Sequence, residues 1–128
     1  MYLFIRLLGW SAVILYLLSV DRYFLRLKPF AKMESMKKLR KLLVRVHKPA
    51  GLITLAILFL HANLAFYNIS RSYTGALALV TMLSIVVYGV LMHFKKISMK
   101  NVKFHRGLSL LIIAFIIIHI LFPYILVF

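Results

Sequence analysis

Four long apolar stretches, separated by polar and strongly basic segments, account for most of this 128-residue chain. They cover roughly residues 2–20, 49–67, 74–94 and 105–126. Each approaches the ~20 residues that a helix needs to cross the hydrocarbon core of a bilayer. No small-residue cleavage pattern follows the first stretch before Asp21, so we interpret it as a helix of the mature protein and not as a secretory signal. The pattern predicts an all-α fold, with residues 1–128 forming a single four-helix transmembrane bundle.

Lysine and arginine lie mainly on one side of the predicted spans. Ten of them are in the loop 21–48 and five are in or beside the connection between the third and fourth spans, whereas the opposite side has only Arg6 and Arg71. Because cytoplasmic loops carry the excess of basic residues, we expect both basic connections inside the cell. Both termini and the loop 68–73 are then outside. The predicted location is the plasma membrane, as a multi-pass protein.

The first basic loop also has a helical pattern of its own. Its apolar positions recur every three or four residues, with Lys and Arg between them: Met33, Met36, Leu39, Leu43 and Val46. We predict a cytoplasmic amphipathic helix over roughly 32–46 that lies on the inner leaflet and binds anionic lipids. A docking surface for an acidic partner protein is the functional alternative.

Composition excludes several classes of protein. Seventeen Lys and Arg against two Asp and Glu would suggest nucleic-acid binding in a soluble protein, but 64% of the residues are hydrophobic. Beside such apolar segments the positive charge indicates membrane lipid, and we expect no nucleic-acid partner. The chain has no cysteine, which excludes disulfides, iron–sulfur clusters and covalent haem attachment through a C-x-x-C-H sequence.

Four of the five histidines form two pairs with the same spacing. His47 and His61 are 14 residues apart on the second span, and His105 and His119 are 14 residues apart on the fourth. Fourteen residues make nearly four helical turns and rise about 21 Å, so both imidazoles of a pair project from nearly the same face.

The topology then brings histidines of different helices to the same depth. Because the second and fourth spans run in the same direction, His47 pairs with His105 near the inner surface, and His61 pairs with His119 in the outer half. Each pair can supply the two axial nitrogens of one haem iron. The sequence therefore predicts two non-covalent b-type haems, an inner one on His47 and His105 and an outer one on His61 and His119.

Residues beside the histidines suit the same cofactor. Gly51 lies one turn beyond His47 and would let a flat ring approach the backbone. Lys48 and Arg106 directly follow the two inner histidines, where they could bind haem propionates. Small residues also serve plain helix packing, and basic residues also flank spans on the cytoplasmic side, so these alternatives stay open.

Other uses of membrane histidines are packing, lining a pore and relaying protons, and ionisable groups at such depth are costly unless they serve a function. Zinc or copper is disfavoured, because only two imidazoles meet at each level and the spans contain no Asp, Glu or Cys. His93, at the cytoplasmic end of the third span, is unpaired. It could be a proton acceptor at a quinone site, a propionate partner or an interfacial residue.

Two His-x13-His pairs on alternate helices resemble the dihaem four-helix core of the respiratory cytochrome b family. They are also similar to the transmembrane part of ferric reductases and NADPH oxidases. The resemblance covers spans two to four and implies bis-histidine ligation by His47, His61, His105 and His119. The chain lacks the extra helices that complete the quinone pockets of cytochrome b, and it lacks a Gly-rich phosphate loop for flavin or nicotinamide. Donor and acceptor are therefore expected to be separate molecules.

The sequence thus predicts a membrane cytochrome that carries electrons between a cytoplasmic-side donor and an outer acceptor. It would be a reductase of ferric iron, quinone or an oxygen species, or the electron-transfer subunit of one. Its expected partners are membrane lipid and a donor and acceptor such as a quinone or a flavoprotein, and two copies could associate as a homodimer. Outward flow is expected, since an inside-negative potential favours it by ~2.3 kcal/mol per 100 mV. The alternatives are a quinol-reactive membrane anchor and a non-redox, His-lined proton or metal transporter.

Overall fold

The computed structural model describes residues 1–24, 34–68, 72–94, 98 and 102–122. These residues form four helices: α1 (Tyr2–Phe24), α2 (Glu34–Asn68), α3 (Tyr73–His93) and α4 (Val102–Leu121). Each is long and apolar enough to cross a membrane. The predicted all-α, four-helix membrane fold is confirmed. The expectations for Met33 and Arg71, and for the end of the last span beyond Phe122, fall outside the described residues.

Helix α2 is longer than the sequence pattern predicted. Pro49 was expected to begin the span, yet it lies inside one continuous helix of 35 residues. The separate surface helix over 32–46 is therefore not seen, because its described part is the first portion of α2. The segment before Pro49 is rich in Lys, Leu and Arg, which favour helix. Pro49 has no backbone N–H, so the helical hydrogen bond to the Arg45 carbonyl is missing. Membrane helices tolerate the loss of this bond.

The four helices share a seven-residue register that divides the interior into three layers. Seven residues make almost two turns, so positions seven apart share a face. The middle layer is formed by one deeply buried residue from each helix, and these are Ala12, Thr54, Met82 and Ile112, at 1%, 1%, 1% and 0% exposure. The other two layers lie seven residues to either side of the middle layer. They contain all four paired histidines.

The middle layer is part of the hydrophobic core. Met82 and Ile112 pack with Tyr16 and Ile85, and partly buried leucines and isoleucines of the neighbouring helices cover this cluster. The Tyr16 hydroxyl donates a hydrogen bond to the Ser109 carbonyl, which ties α1 to α4 across the bundle. Ile112 has no exposed surface, so its face of α4 points into the bundle.

The register is also compatible with the dimensions of a bilayer. About ten residues of helix on each side of the middle layer span the ~30 Å hydrocarbon core. Counting ten residues outward on α3 reaches Ser72 at one end and Met92, next to His93, at the other; on α1 it reaches Tyr2 and Arg22. All these ends fall at or beside polar or aromatic residues, which is where a membrane–water interface belongs.

The helices that contain the histidines are the least covered by the rest of the chain. Extensive contacts join α1 to α2 and α3 to α4, fewer join α2 to α3, and α2 does not pack extensively on α4 in the described residues. Of the apolar, membrane-length stretch of each helix, only 6% is buried in α2 and in α4, compared with 22% in α1 and in α3. The inward faces of α2 and α4 therefore meet across the interior chiefly through side chains.

Candidate functional site

The inner pair of histidines faces across the bundle as the sequence predicted. The ring centres of His47 on α2 and His105 on α4 are 6.4 Å apart, with an angle of 82° between the ring planes. This separation lies within the range of edge-to-face ring pairs. The two side chains are half-buried in the described structure, and each would feel the charge of the other if protonated.

His47 is oriented by a backbone carbonyl of the neighbouring helix. Its Nδ1 lies 2.9 Å from the Ser19 carbonyl oxygen of α1. A carbonyl only accepts hydrogen bonds, so Nδ1 has to carry the proton and donate it. Nε2 then keeps its lone pair, which makes it the nitrogen available to a metal.

His105 lacks such a partner. Its Nδ1 is buried and has no hydrogen-bond partner within the described part of the chain. The backbone of Ile85 on α3 lies close enough to interact with the ring. The ring also lies close to Gly89, where an added Cβ would be 3.5 Å from His105 Cε1.

At the other level, His61 is supported in the same way as His47 and more closely. Nδ1 of His61 lies 2.9 Å from the Ile5 carbonyl oxygen, and a Cβ on Gly9 would come within 3.0 Å of His61 Cε1. Gly9 thus lets the ring lie directly against the backbone of α1. His61 and His119 lie within electrostatic range of each other.

The fourth ring is held by hydroxyl groups. Nδ1 of His119 is 3.0 Å from Thr74 Oγ1 and 3.5 Å from Ser72 Oγ, and the two hydroxyls are 2.8 Å apart. Ser72 caps α3 by accepting a hydrogen bond from the Gly75 amide at 3.4 Å. A Cβ on Gly75 would lie 3.1 Å from His119 Cε1. The start of α3 therefore both caps the helix and orients this histidine.

The four histidines are evident from the sequence, but the residues that support them are not. Gly75 and Gly89 are 14 residues apart on α3, the same interval as His105 and His119 on α4. Ile5 and Ser19, whose carbonyls face His61 and His47, are also 14 residues apart. The two glycines could have been found by searching the other spans for the histidine interval. The two carbonyls have no sequence signal, since every residue has one.

The remaining predicted site residues lie at the inner end. Lys48 is exposed, and its ammonium donates to Nδ1 of His93 at 3.0 Å, which connects α2 to α3. Arg106 is also exposed. Gly51 is half-buried, and a Cβ there would meet no described protein atom within 4 Å, so the backbone at Gly51 is open.

The described residues contain no cluster of three or more His, Cys, Asp or Glu that could hold a metal ion. Two imidazoles at each level cannot complete a tetrahedral site, but they can complete the two axial positions of a metal already held in a macrocycle. No known protein family, curated protein or solved structure shows significant similarity to this chain.

Proposed function

We propose that this protein is a b-type dihaem membrane cytochrome that carries electrons between a donor on one side of the membrane and an acceptor on the other. The observation that carries the proposal is the arrangement of the four histidines at two levels. The rings of His47 and His105 are 6.4 Å apart, and His61 and His119, each seven residues beyond the middle layer, lie within electrostatic range of each other.

The separation of the inner rings fits axial ligation of one metal. With metal–nitrogen bonds of about 2.0 Å, as for imidazole on zinc, and about 1.2 Å from ring centre to ring nitrogen, two axial imidazoles have centres ~6.4 Å apart. The observed separation of His47 and His105 is 6.4 Å. The angle between the rings is unconstrained by axial ligation, because each plane only has to contain the ligation axis.

The hydrogen bonds of the histidines support the same role. Histidines that ligate metals usually donate the other ring N–H to a carbonyl or another acceptor, which fixes the tautomer and the ring orientation. His47 and His61 do so to the carbonyls of Ser19 and Ile5, and Thr74 and Ser72 lie at Nδ1 of His119.

Haem supplies one-electron redox chemistry at each level. The four histidines would occupy both axial positions, which leaves none open and favours electron transfer over oxygen binding. Gly9 and Gly75 allow the outer rings to lie against the backbone, and the middle layer fills the space between the two levels with buried side chains such as Met82 and Ile112. Little helix-to-helix contact joins α2 to α4, so a flat ligand could lie between their inward faces.

The charge distribution supports an orientation with the His47–His105 level on the cytoplasmic side. Most Lys and Arg lie beyond that level, and the positive-inside rule then puts both termini and the His61–His119 level outside. In this proposal Lys48 and Arg106 hold the propionates of the inner haem. The electron acceptor is on the outer side, and the membrane potential favours outward flow.

The test is haem content and absorbance of the purified chain, oxidised and then reduced with dithionite. We expect two haems per chain and a reduced spectrum typical of bis-histidine b-type cytochromes. His61→Leu or His119→Leu should lower the content to one haem, while His93→Leu, a histidine outside the pairs, should retain two. If the purified protein is colourless, and it still binds less than one haem per chain after reconstitution with haemin, the proposal is overturned. That result would favour a proton or metal transporter.

A quinol-reactive anchor is the second candidate, and one observation favours it. The Lys48 ammonium and the His93 ring meet at the membrane surface on the same side as the inner pair. His93 could there accept a proton from a quinol as electrons pass to the inner haem. Direct reduction of the protein by a short-chain quinol, slowed by His93→Leu, would distinguish this candidate from a carrier that needs a protein donor.

A further inference from the structure

The first part of α2 contains a shallow groove lined by three basic side chains and one valine. The lining residues are Arg40, Lys41, Val44 and Arg45, and the groove has a volume of about 270 Å³. Lys41, Val44 and Arg45 are exposed, and Arg40 is half-exposed. Arg40 and Val44 are four residues apart, as are Lys41 and Arg45, and Lys41 and Val44 are three apart. These spacings put the four positions on one side of the helix.

The charges of this groove have almost no internal compensation. The chain has 17 Lys and Arg but only two acidic residues, Asp21 and Glu34. Two carboxylates can neutralise only a small share of these cations. Three cations on one helix face repel each other, so an external anion would stabilise them. The groove is therefore suited to an anionic ligand.

The depth of the groove identifies the kind of anion. We count along α2 from Thr54 of the middle layer toward the start of the helix. The hydrocarbon core ends after about ten residues, at Val44, and the headgroup layer ends after about 14 residues, at Arg40. The groove therefore spans the headgroup layer. Lys37 and Lys38 precede Arg40 by three and two residues on α2. They therefore lie just beyond the headgroup layer. This placement favours lipid over a soluble protein at the groove.

The geometry points to a binding site for the phosphate headgroup of an anionic phospholipid, such as phosphatidylglycerol. We propose that Arg40, Lys41 and Arg45 bind the headgroup phosphate and that Val44 contacts the upper part of the lipid. Guanidinium groups bind phosphate through two parallel N–H bonds, which gives geometric selectivity in addition to charge. The site is independent of the histidine pairs and of whatever they bind.

The experiment compares lipid binding to the full-length chain in phosphatidylcholine nanodiscs that contain increasing phosphatidylglycerol. Retained lipid is counted by native mass spectrometry. Each basic residue near an anionic surface contributes ~1 kcal/mol, so Arg40→Gln with Arg45→Gln should weaken phosphatidylglycerol binding about 30-fold. Lys37→Gln with Lys38→Gln removes the same charge beyond the headgroup layer and should weaken it no more than about threefold.

Two further arms separate the other outcomes. Arg40→Lys with Arg45→Lys keeps the charge and should recover most of the binding, which also shows that the positions tolerate substitution. Soluble glycerol phosphate should not compete with the lipid at millimolar concentration. Equal losses in the groove and control variants, equal affinity for phosphatidylcholine, full competition by glycerol phosphate, or binding of an acidic protein in place of lipid would overturn the proposal.

Discussion

The imidazole of His119 lies directly against the backbone of Gly75, where an added Cβ would be 3.1 Å from the ring Cε1. So short a distance would force the ring to move, because few real Cβ contacts are this close. Gly75 is thus the residue of α3 that allows His119 its position. Gly89 lies 14 residues later on the same helix, next to His105. An added Cβ there would be 3.5 Å from the His105 Cε1, so Gly89 leaves more space than Gly75 does.

This difference predicts opposite outcomes for two identical substitutions. Gly75→Ala should displace His119 and weaken haem binding at the outer level, with loss of up to one haem per chain. Gly89→Ala places its methyl group at an ordinary van der Waals distance and should retain two haems. It should also gain up to ~1 kcal/mol of helix stability. The measurement is haem content together with thermal unfolding, and equal haem loss in both variants would contradict the expectation.

Thr74→Val tests the hydroxyl support of His119. The substitution keeps the shape of the side chain but removes the oxygen that lies 3.0 Å from Nδ1. A ligating imidazole that loses its acceptor becomes less basic and stabilises the ferric state less, so the midpoint potential of the outer haem should rise. Haem affinity at that level should fall by about tenfold or more.

Thr81→Val is the matched control for this measurement. Thr81 lies on the same helix and is buried, but its hydroxyl donates only to the Leu77 carbonyl of its own helix. Its replacement should leave both midpoint potentials unchanged. A potentiometric titration in which both variants shift the outer haem equally would show that Thr74 acts through helix packing alone.

Tyr16→Phe should destabilise the bundle without changing haem content. The Tyr16 hydroxyl is buried and bonds the Ser109 carbonyl across the middle of the bundle. Loss of one such hydrogen bond costs about 1 kcal/mol. Tyr67→Phe removes a hydroxyl from a side chain that is 80% exposed and should cost little. Thermal unfolding in one detergent compares the two, and an equal effect on stability would contradict the role of Tyr16.

The orientation of the bundle can be tested because the chain has no cysteine of its own. Lys38→Cys places a single thiol before the His47–His105 level, and Tyr67→Cys places one beyond the His61–His119 level. With the basic end inside the cell, a membrane-impermeant maleimide should label Tyr67→Cys in intact cells and Lys38→Cys only after permeabilisation. The reverse labelling pattern would invert the proposed topology.

The sequence by itself determined the number of spans and the four histidines. Apolar stretches of bilayer length are a local property of composition, which needs no knowledge of packing. The 14-residue interval also follows from helix geometry, since residues so spaced share a face in any α-helix. From these two features one could place His61 above His47 and His119 above His105 before any contact between helices was known.

Only the tertiary structure decided which groups meet the histidine rings. The start of α2, by contrast, follows from local composition, because the helix-favouring residues before Pro49 continue the helix through it. The roles of Gly75, Gly89 and the Ile5 carbonyl depend on the rotation of each helix against its neighbour. That rotation is set by the packing of the middle layer, at Thr54, Met82 and Ile112, which is a property of all four helices together and of no single segment.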